Sequence, residues 1–178
     1  MAADEIILVD AQDRELGFAP VKACHDGEGR LHRAFSVFIL NSRGEVLLQQ
    51  RSPEKRLWPL YWSNSCCSHP RRGETVEQAA ARRLKEELAV SAPLNFLYKF
   101  QYQARFGDTG SENELCWVFV GRFDGAVRAD PHEIAAWRYV SPDALDRELA
   151  SEPDRFTPWL KLEWARIRAE HGAMFRGA

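Results

Sequence analysis

Strand-like apolar runs recur along this chain at about 5–9, 34–40, 46–51, 63–67, 95–106, 112–123 and 135–140. Asn41-Ser-Arg-Gly44 reads as a turn between two of them, and Gly107-Asp-Thr-Gly110 as another. Between about 74 and 88 the period changes: Val76, Ala79, Ala80, Leu84 and Leu88 recur at three- and four-residue intervals, which predicts one central helix. Pro70 and Gly73 lie just before it, and acids stand in its first turn, where the macrodipole favours them. Two later segments, about 142–150 and 157–171, each begin with Ser or Thr followed by Pro and predict two further helices. Strands, one helix, more strands and a helical end describe an α+β domain with a mixed sheet. The chain carries no internal repeat, low-complexity tract or linker, so a single domain over residues 1–178 is expected.

Composition narrows the functional classes. The 178 residues suffice for a sizeable core. A net charge of −2 argues against nucleic acid or membrane as a broad electrostatic partner, so any anion site must be local. Asp4 and Glu5 precede the first apolar run, unlike the basic start of a signal peptide, and no apolar run approaches the roughly 20 residues a bilayer requires. The expectation is a cytoplasmic protein, a monomer or weak homodimer, whose four cysteines are thiols. Adjacent Cys66 and Cys67 would face opposite sides of a strand and make a poor disulfide pair.

Two segments carry candidate chemistry. In an extended run the thiol of Cys67 and the imidazole of His69 project the same way, and so do Glu112 and Glu114. With His25 and His32 upstream, these are the parts of a metal site with an acid–base pair beside it. Glu87 borders the apolar stripe of the central helix, where a carboxylate is costly unless a cation meets it. Plainer readings stand beside each: an Arg83–Glu87 pair at i,i+4, a solvated His25 on a polar loop, a small buried hydrophobe at Cys67, ordinary packing at Trp159, a solvated loop for Arg51 and Lys55.

The spacing Ser68-x5-Glu74-x7-Arg82-x-Leu84-x-Glu86-Glu87 resembles a degraded Nudix box, departing from it at Ser68, Arg83 and Ala89. Leu31-His-Arg-Ala-Phe-Ser36, the Trp58-Pro to His69-Pro70 run, Ser111-Glu-Asn-Glu-Leu-Cys116 and Thr157-Pro-Trp159 resemble the type 1 isopentenyl-diphosphate isomerases, over roughly residues 5–160. That resemblance implies a Nudix-like mixed β-sheet sandwich with flanking helices, its core at about 30–165 and residues 1–29 covering the site. It implies one divalent metal (Mn²⁺, Zn²⁺ or Mg²⁺) on His25, His32, His69, Glu112 and Glu114, and a Mg²⁺ held by Glu87 and the Cys67 carbonyl, bridging to a diphosphate. Arg51, Lys55, Lys22 and Arg83 would grip that diphosphate, although Lys22 lies one position from the expected lysine. Glu114 with Tyr102 would donate a proton, Cys67 would take one with its pKa lowered by nearby cations, and Trp159 would face the resulting carbocation. The implied activity is interconversion of isopentenyl and dimethylallyl diphosphate in isoprenoid biosynthesis. The alternative is a Nudix hydrolase of a nucleoside or other diphosphate.

Overall fold

The two longest apolar runs form a hairpin across the Gly107–Gly110 turn. β7 (Leu94–Phe106) and β8 (Gly110–Arg122) pair antiparallel from Phe106 opposite Gly110 to Leu94 opposite Gly121. The protein is described by a computed structural model over residues 5–176. Before that hairpin come β1 (Glu5–Val9), β2 (Glu15–Pro20), α1 (Val21–His25), β3 (His32–Leu40), β4 (Val46–Arg51), β5 (Trp62–Ser63), β6 (Cys66–Ser68) and α2 (Val76–Leu88). After it come β9 (Ile134–Val140), α3 (Pro142–Ser151) and α4 (Pro158–Glu170).

β3 is the hub of the mixed sheet. It runs parallel to β8 with His32 opposite Glu114 and Leu40 opposite Arg122, and antiparallel to β6 with Ser36 opposite Cys67. Paired residues share a face, so the register alone aligns Tyr102, Glu114 and His32 in one row across β7, β8 and β3. Ser36 and Cys67 lie further along that face. β4 meets β3 only at Leu40 opposite Val46, and carries β9 and β5 as its partners.

Helices cover both faces, so the sandwich is helix, sheet, helix. Phe35, Val37, Ile39, Leu47 and Phe119 pack under Val76, Ala79, Ala80, Leu84 and Leu88 of α2. Phe38, Leu40, Val46, Leu48 and Val118 pack under Leu145 of α3 and Leu160, Trp164 and Ile167 of α4. Each buried Leu, Ile, Val or Phe in these layers stabilises the fold by about 1.5–3 kcal/mol.

Local chemistry fixes the helix ends. Thr75 caps α2 in a reciprocal box with Gln78, so the helix starts at Val76 rather than at Glu74, which instead binds Arg82 at 2.7 Å. Ala89 ends α2 at φ 55°. That left-handed turn suits the glycine usual in the motif, and an alanine there costs about 1 kcal/mol. Ser141 caps α3 as expected, but Thr157 makes no cap bond on α4, because its hydroxyl meets that of Ser63 at 3.1 Å.

Two expectations need correction. The run at 63–67 is not one strand: the buried side chains of Asn64 and Ser65 interrupt it. The Ser65 hydroxyl accepts from the Ile39 amide at 2.8 Å and donates to the Leu47 carbonyl at 2.6 Å, doing with a side chain what a ladder would do with backbone. Nor does His25 sit on a solvated loop: it ends α1 and is buried. The N-terminal segment β1–β2–α1 packs on β3 and β8 beside the site; the first four residues of the expected 1–29 cover lie outside the described residues.

Candidate active site

α1 brings His25 to the start of β3 because the turn between β7 and β8 lets it. A Cβ on Gly110 would sit 2.3 Å from the His25 carbonyl oxygen, so only glycine permits this approach. Ser111 then donates to the Gly27 carbonyl at 2.7 Å, and Asn113 to that of Gly29 at 3.2 Å. The docked segment holds His25 against His32 and His69, with ring centroids 4.8 and 5.2 Å away.

Five side chains converge there. One ligand atom from each of His25, His32, His69, Glu112 and Glu114 lies within 4.8 Å of all the others. The Nδ1 atoms of His25 and His32 each stand 2.7 Å from a main-chain carbonyl, of Val21 and Arg30. A carbonyl only accepts, so Nδ1 carries the proton and each Nε2 is turned inward as a metal-ready nitrogen. His32 Nε2 and Glu112 Oε2 are buried without a well-directed hydrogen bond among the described residues. Glu112 nonetheless lies 2.8 Å from His25 Nε2, a charge contact rather than a satisfied bond. Burial pulls the His25 imidazole down, yet the Glu112 carboxylate overrides it and lifts the pKa to about 9. Burial lowers His69 in spite of Glu114. Burial would raise Glu114, but the His32 and His69 imidazoles beside it, His69 Nε2 at 3.0 Å, hold it well below the ordinary carboxylate range. Three imidazoles and two carboxylates with orphaned inward atoms fit a divalent metal ion.

A cavity of about 570 Å³ opens from this cluster, and both Cys67 and Glu114 line it. The Tyr102 hydroxyl donates to Glu114 at 2.6 Å. The neighbouring wall is apolar and aromatic: Ala34, Leu57, Trp58, Tyr102, Cys116 and Trp159 form one buried cluster with Cys67 against it. Trp159 packs edge-on to Trp58 at 5.3 Å, and its indole nitrogen donates to Ser63 at 2.9 Å. The thiol of Cys67 departs from expectation. Burial pushes its pKa up to about 12 in spite of Arg51, so the protein by itself keeps it protonated rather than poised as a thiolate.

Basic side chains line the same cavity, Arg51 directly against the aromatic wall. The Arg51 guanidinium donates to the Trp58 carbonyl at 3.0 Å and the Leu57 carbonyl at 2.8 Å, and stacks 5.3 Å from the Trp159 ring. The loop curls around it with Trp58 and Leu60 at φ 47° and 63°, strain tolerated where a side chain must be aimed. Arg83 reaches Glu87 at 2.6 Å and Glu86 at 2.9 Å, so the plain i,i+4 pair exists within the cavity wall. Glu87 is buried, which raises its pKa despite Arg83, and it also accepts from Gln49 at 3.2 Å. Lys55 lines the same wall, paired to Glu133. Lys22 only borders the cavity: its side chain is 75% exposed and bound to Asp26 at 2.9 Å.

Two residues were not singled out by the sequence reading. Glu133 stands in the basic wall, and no motif marks it. Glu163 on α4 is fully buried, with Oε1 3.7 Å from the Cys116 sulfur and Oε2 lacking a partner among the described residues. Its signal was legible: it follows Trp159 by four positions and Leu160 by three, an acid inside an apolar stripe.

Comparison with known proteins bears on the family. A NUDIX domain is matched over residues 30–160. The isopentenyl-diphosphate Delta-isomerase of Nocardia farcinica is 47% identical over 86% of this chain and 88% of its own length. Isopentenyl-diphosphate Delta-isomerase 1 of Photorhabdus laumondii is 42% identical over 94% and 97%. The crystal structure of DR0079 from Deinococcus radiodurans superposes with a TM-score of 0.74 at 25% identity, over 92% of this chain and 98% of that one. The chain therefore belongs to the NUDIX family and, within it, to the isopentenyl-diphosphate Delta-isomerases.

Proposed function

We propose that this protein interconverts isopentenyl diphosphate and dimethylallyl diphosphate by protonation and deprotonation through a tertiary carbocation. The observation that carries the reading is one cavity lined by a thiol, a carboxylate, aromatic rings and several cations. An alkene carbon is a poor base, so a proton must be pressed onto it in a site that keeps water from trapping the cation. The cluster of Trp58, Trp159 and Tyr102 supplies the dry lining, and ring faces attract a desolvated cation by about 2 kcal/mol. Arg51, Lys55 and Arg83 suit the diphosphate at the other end.

In the direction of dimethylallyl diphosphate, Glu114 with Tyr102 delivers a proton to the terminal alkene carbon and Cys67 removes one from C2. In reverse the two exchange roles, as microscopic reversibility requires. With Cys67 holding its proton and Glu114 ionised, the side chains stand as the forward turnover leaves them and the reverse one begins. A divalent ion on His25, His32, His69, Glu112 and Glu114 would polarise the Glu114 carboxylate, and a Mg²⁺ at Glu87 and the Cys67 carbonyl would neutralise diphosphate charge. No helix of the described residues is long and apolar enough to cross a membrane, which agrees with a cytoplasmic enzyme acting on a small anionic substrate.

The test is direct. Incubation with isopentenyl diphosphate and Mg²⁺ in deuterated water places deuterium in dimethylallyl diphosphate. Failure to form labelled product, with phosphate released instead from a nucleoside diphosphate derivative, establishes hydrolysis and refutes the isomerase.

A further inference from the structure

The cations of the basic wall are already engaged. Lys55 is paired to Glu133 Oε2, and Arg83 Nη2 lies 3.0 Å from Glu133 Oε1 and 2.6 Å from Glu87 Oε1. Glu133 is thus shared by a lysine from the loop after β4 and an arginine from α2. The backbone fixes it between them: its carbonyl accepts from the Ser52 amide at 3.0 Å, while the Asp130 amide donates to the Glu87 carbonyl at 2.8 Å. The side chains of Lys55, Glu133 and Arg83 are 29%, 23% and 19% exposed, and that of Glu87 is 4% exposed, so water screens them poorly.

Lys55, Arg83, Glu87 and Glu133 sum to zero charge. A bare diphosphate entering this wall meets two carboxylates at the cations it needs, and like charges brought together at low dielectric repel strongly. A divalent cation arriving with the diphosphate changes the balance. It would compensate Glu133 and Glu87, and leave Lys55 and Arg83 for phosphate oxygens.

Resting on the diphosphate reading above, we infer that Glu133 is a specificity-determining residue that makes this cavity accept a diphosphate only together with its divalent cation. The group acts by occupying the two phosphate-binding cations until a metal relieves it. It is a positioning residue and takes no part in proton transfer.

Calorimetric titration with inorganic diphosphate, with and without Mg²⁺, reads this without turnover. Wild type binds the Mg²⁺ complex at least about tenfold more tightly than the metal-free anion. Glu133→Gln binds the metal-free anion about tenfold more tightly than wild type does, so its Mg²⁺ enhancement shrinks by that factor. Glu133→Asp keeps the carboxylate and keeps the enhancement. If Glu133 merely props up Lys55 and Arg83, Glu133→Gln weakens both titrations alike, and the inference is overturned. An unchanged enhancement in Glu133→Gln overturns it too, as does wild type binding both forms equally. Wild type that binds neither form refutes the diphosphate reading itself, and the role of Glu133 with it. Thermal unfolding of each variant confirms that folded protein was titrated.

Discussion

Replacing Glu163 with glutamine should remove a large part of this protein's pH-dependent stability. The carboxyl is fully buried, with the Cys116 sulfur at 3.7 Å and no ion pair to it among the described residues. Burial therefore lifts its pKa from an ordinary 4.5 to about 8, opposed only in part by hydrogen bonds from Ser36 and Cys116. In the folded protein the group is a neutral acid at neutral pH, while in the unfolded chain it is ionised. Between those two values the native state binds a proton that the unfolded state does not, so stability falls as pH rises. The favourable contribution is complete below 4.5 and is lost as pH passes about 8. At 1.36 kcal/mol per pH unit, the loss between about pH 5.5 and about pH 8 is roughly 3 kcal/mol. That is a large share of the 5–15 kcal/mol typical of a domain. Glutamine has the same shape and does not titrate. Urea unfolding of the metal-free protein, followed by tryptophan fluorescence across this range, should show Glu163→Gln gaining on wild type by roughly 3 kcal/mol as pH rises. The difference between the two proteins removes the titrating groups that Glu163 does not influence, and leaves its own titration with its coupling to Glu114 and Cys116. Parallel curves for wild type and variant would mean that Glu163 is ionised in the native state, and the argument from burial would be refuted.

The remaining expectations concern the site. Cys67→Ala and Glu114→Gln should each reduce isomerisation by roughly 10³-fold or more in protein that still folds, and near-normal turnover in either variant removes that residue from the chemistry. His32→Ala and His69→Ala should lose bound transition metal, as elemental analysis of the purified variants will read; full occupancy would show that the ion sits elsewhere. Glu87→Leu should raise KM for the diphosphate substrate about tenfold or more, because the proposed Mg²⁺ loses its ligand; unaltered kinetics would move that ion away from α2.

What the sequence disclosed follows from how local each signal was. The alternation in β8 was enough to place Glu112 and Glu114 on one face, and the structure turns both into the cluster with His25, His32 and His69. The apolar stripe of α2 was legible to within two residues, and only the Thr75–Gln78 box set its start. The segment 15–25 gave no such signal. A five-residue helix is too short to show a period, and α1 is held by contacts distant in sequence, as in the Ser111 and Asn113 bonds to Gly27 and Gly29. Hence His25 could be read as a metal ligand only through the family resemblance, with a solvated loop as the plainer alternative, and Lys22, bound to Asp26 at the cavity edge, came from the same resemblance. The same limit applies to Cys67. The family resemblance implied a thiol activated by nearby cations, but burial in the folded protein sets its pKa, and the groups that bury it come from other segments. A thiol raised to about 12 cannot serve as a base on its own account. In the proposed chemistry, removal of the C2 proton therefore depends on charge that arrives with the ligand. That ties the reactivity of Cys67 to the divalent cation that Glu133 is inferred to require alongside the diphosphate.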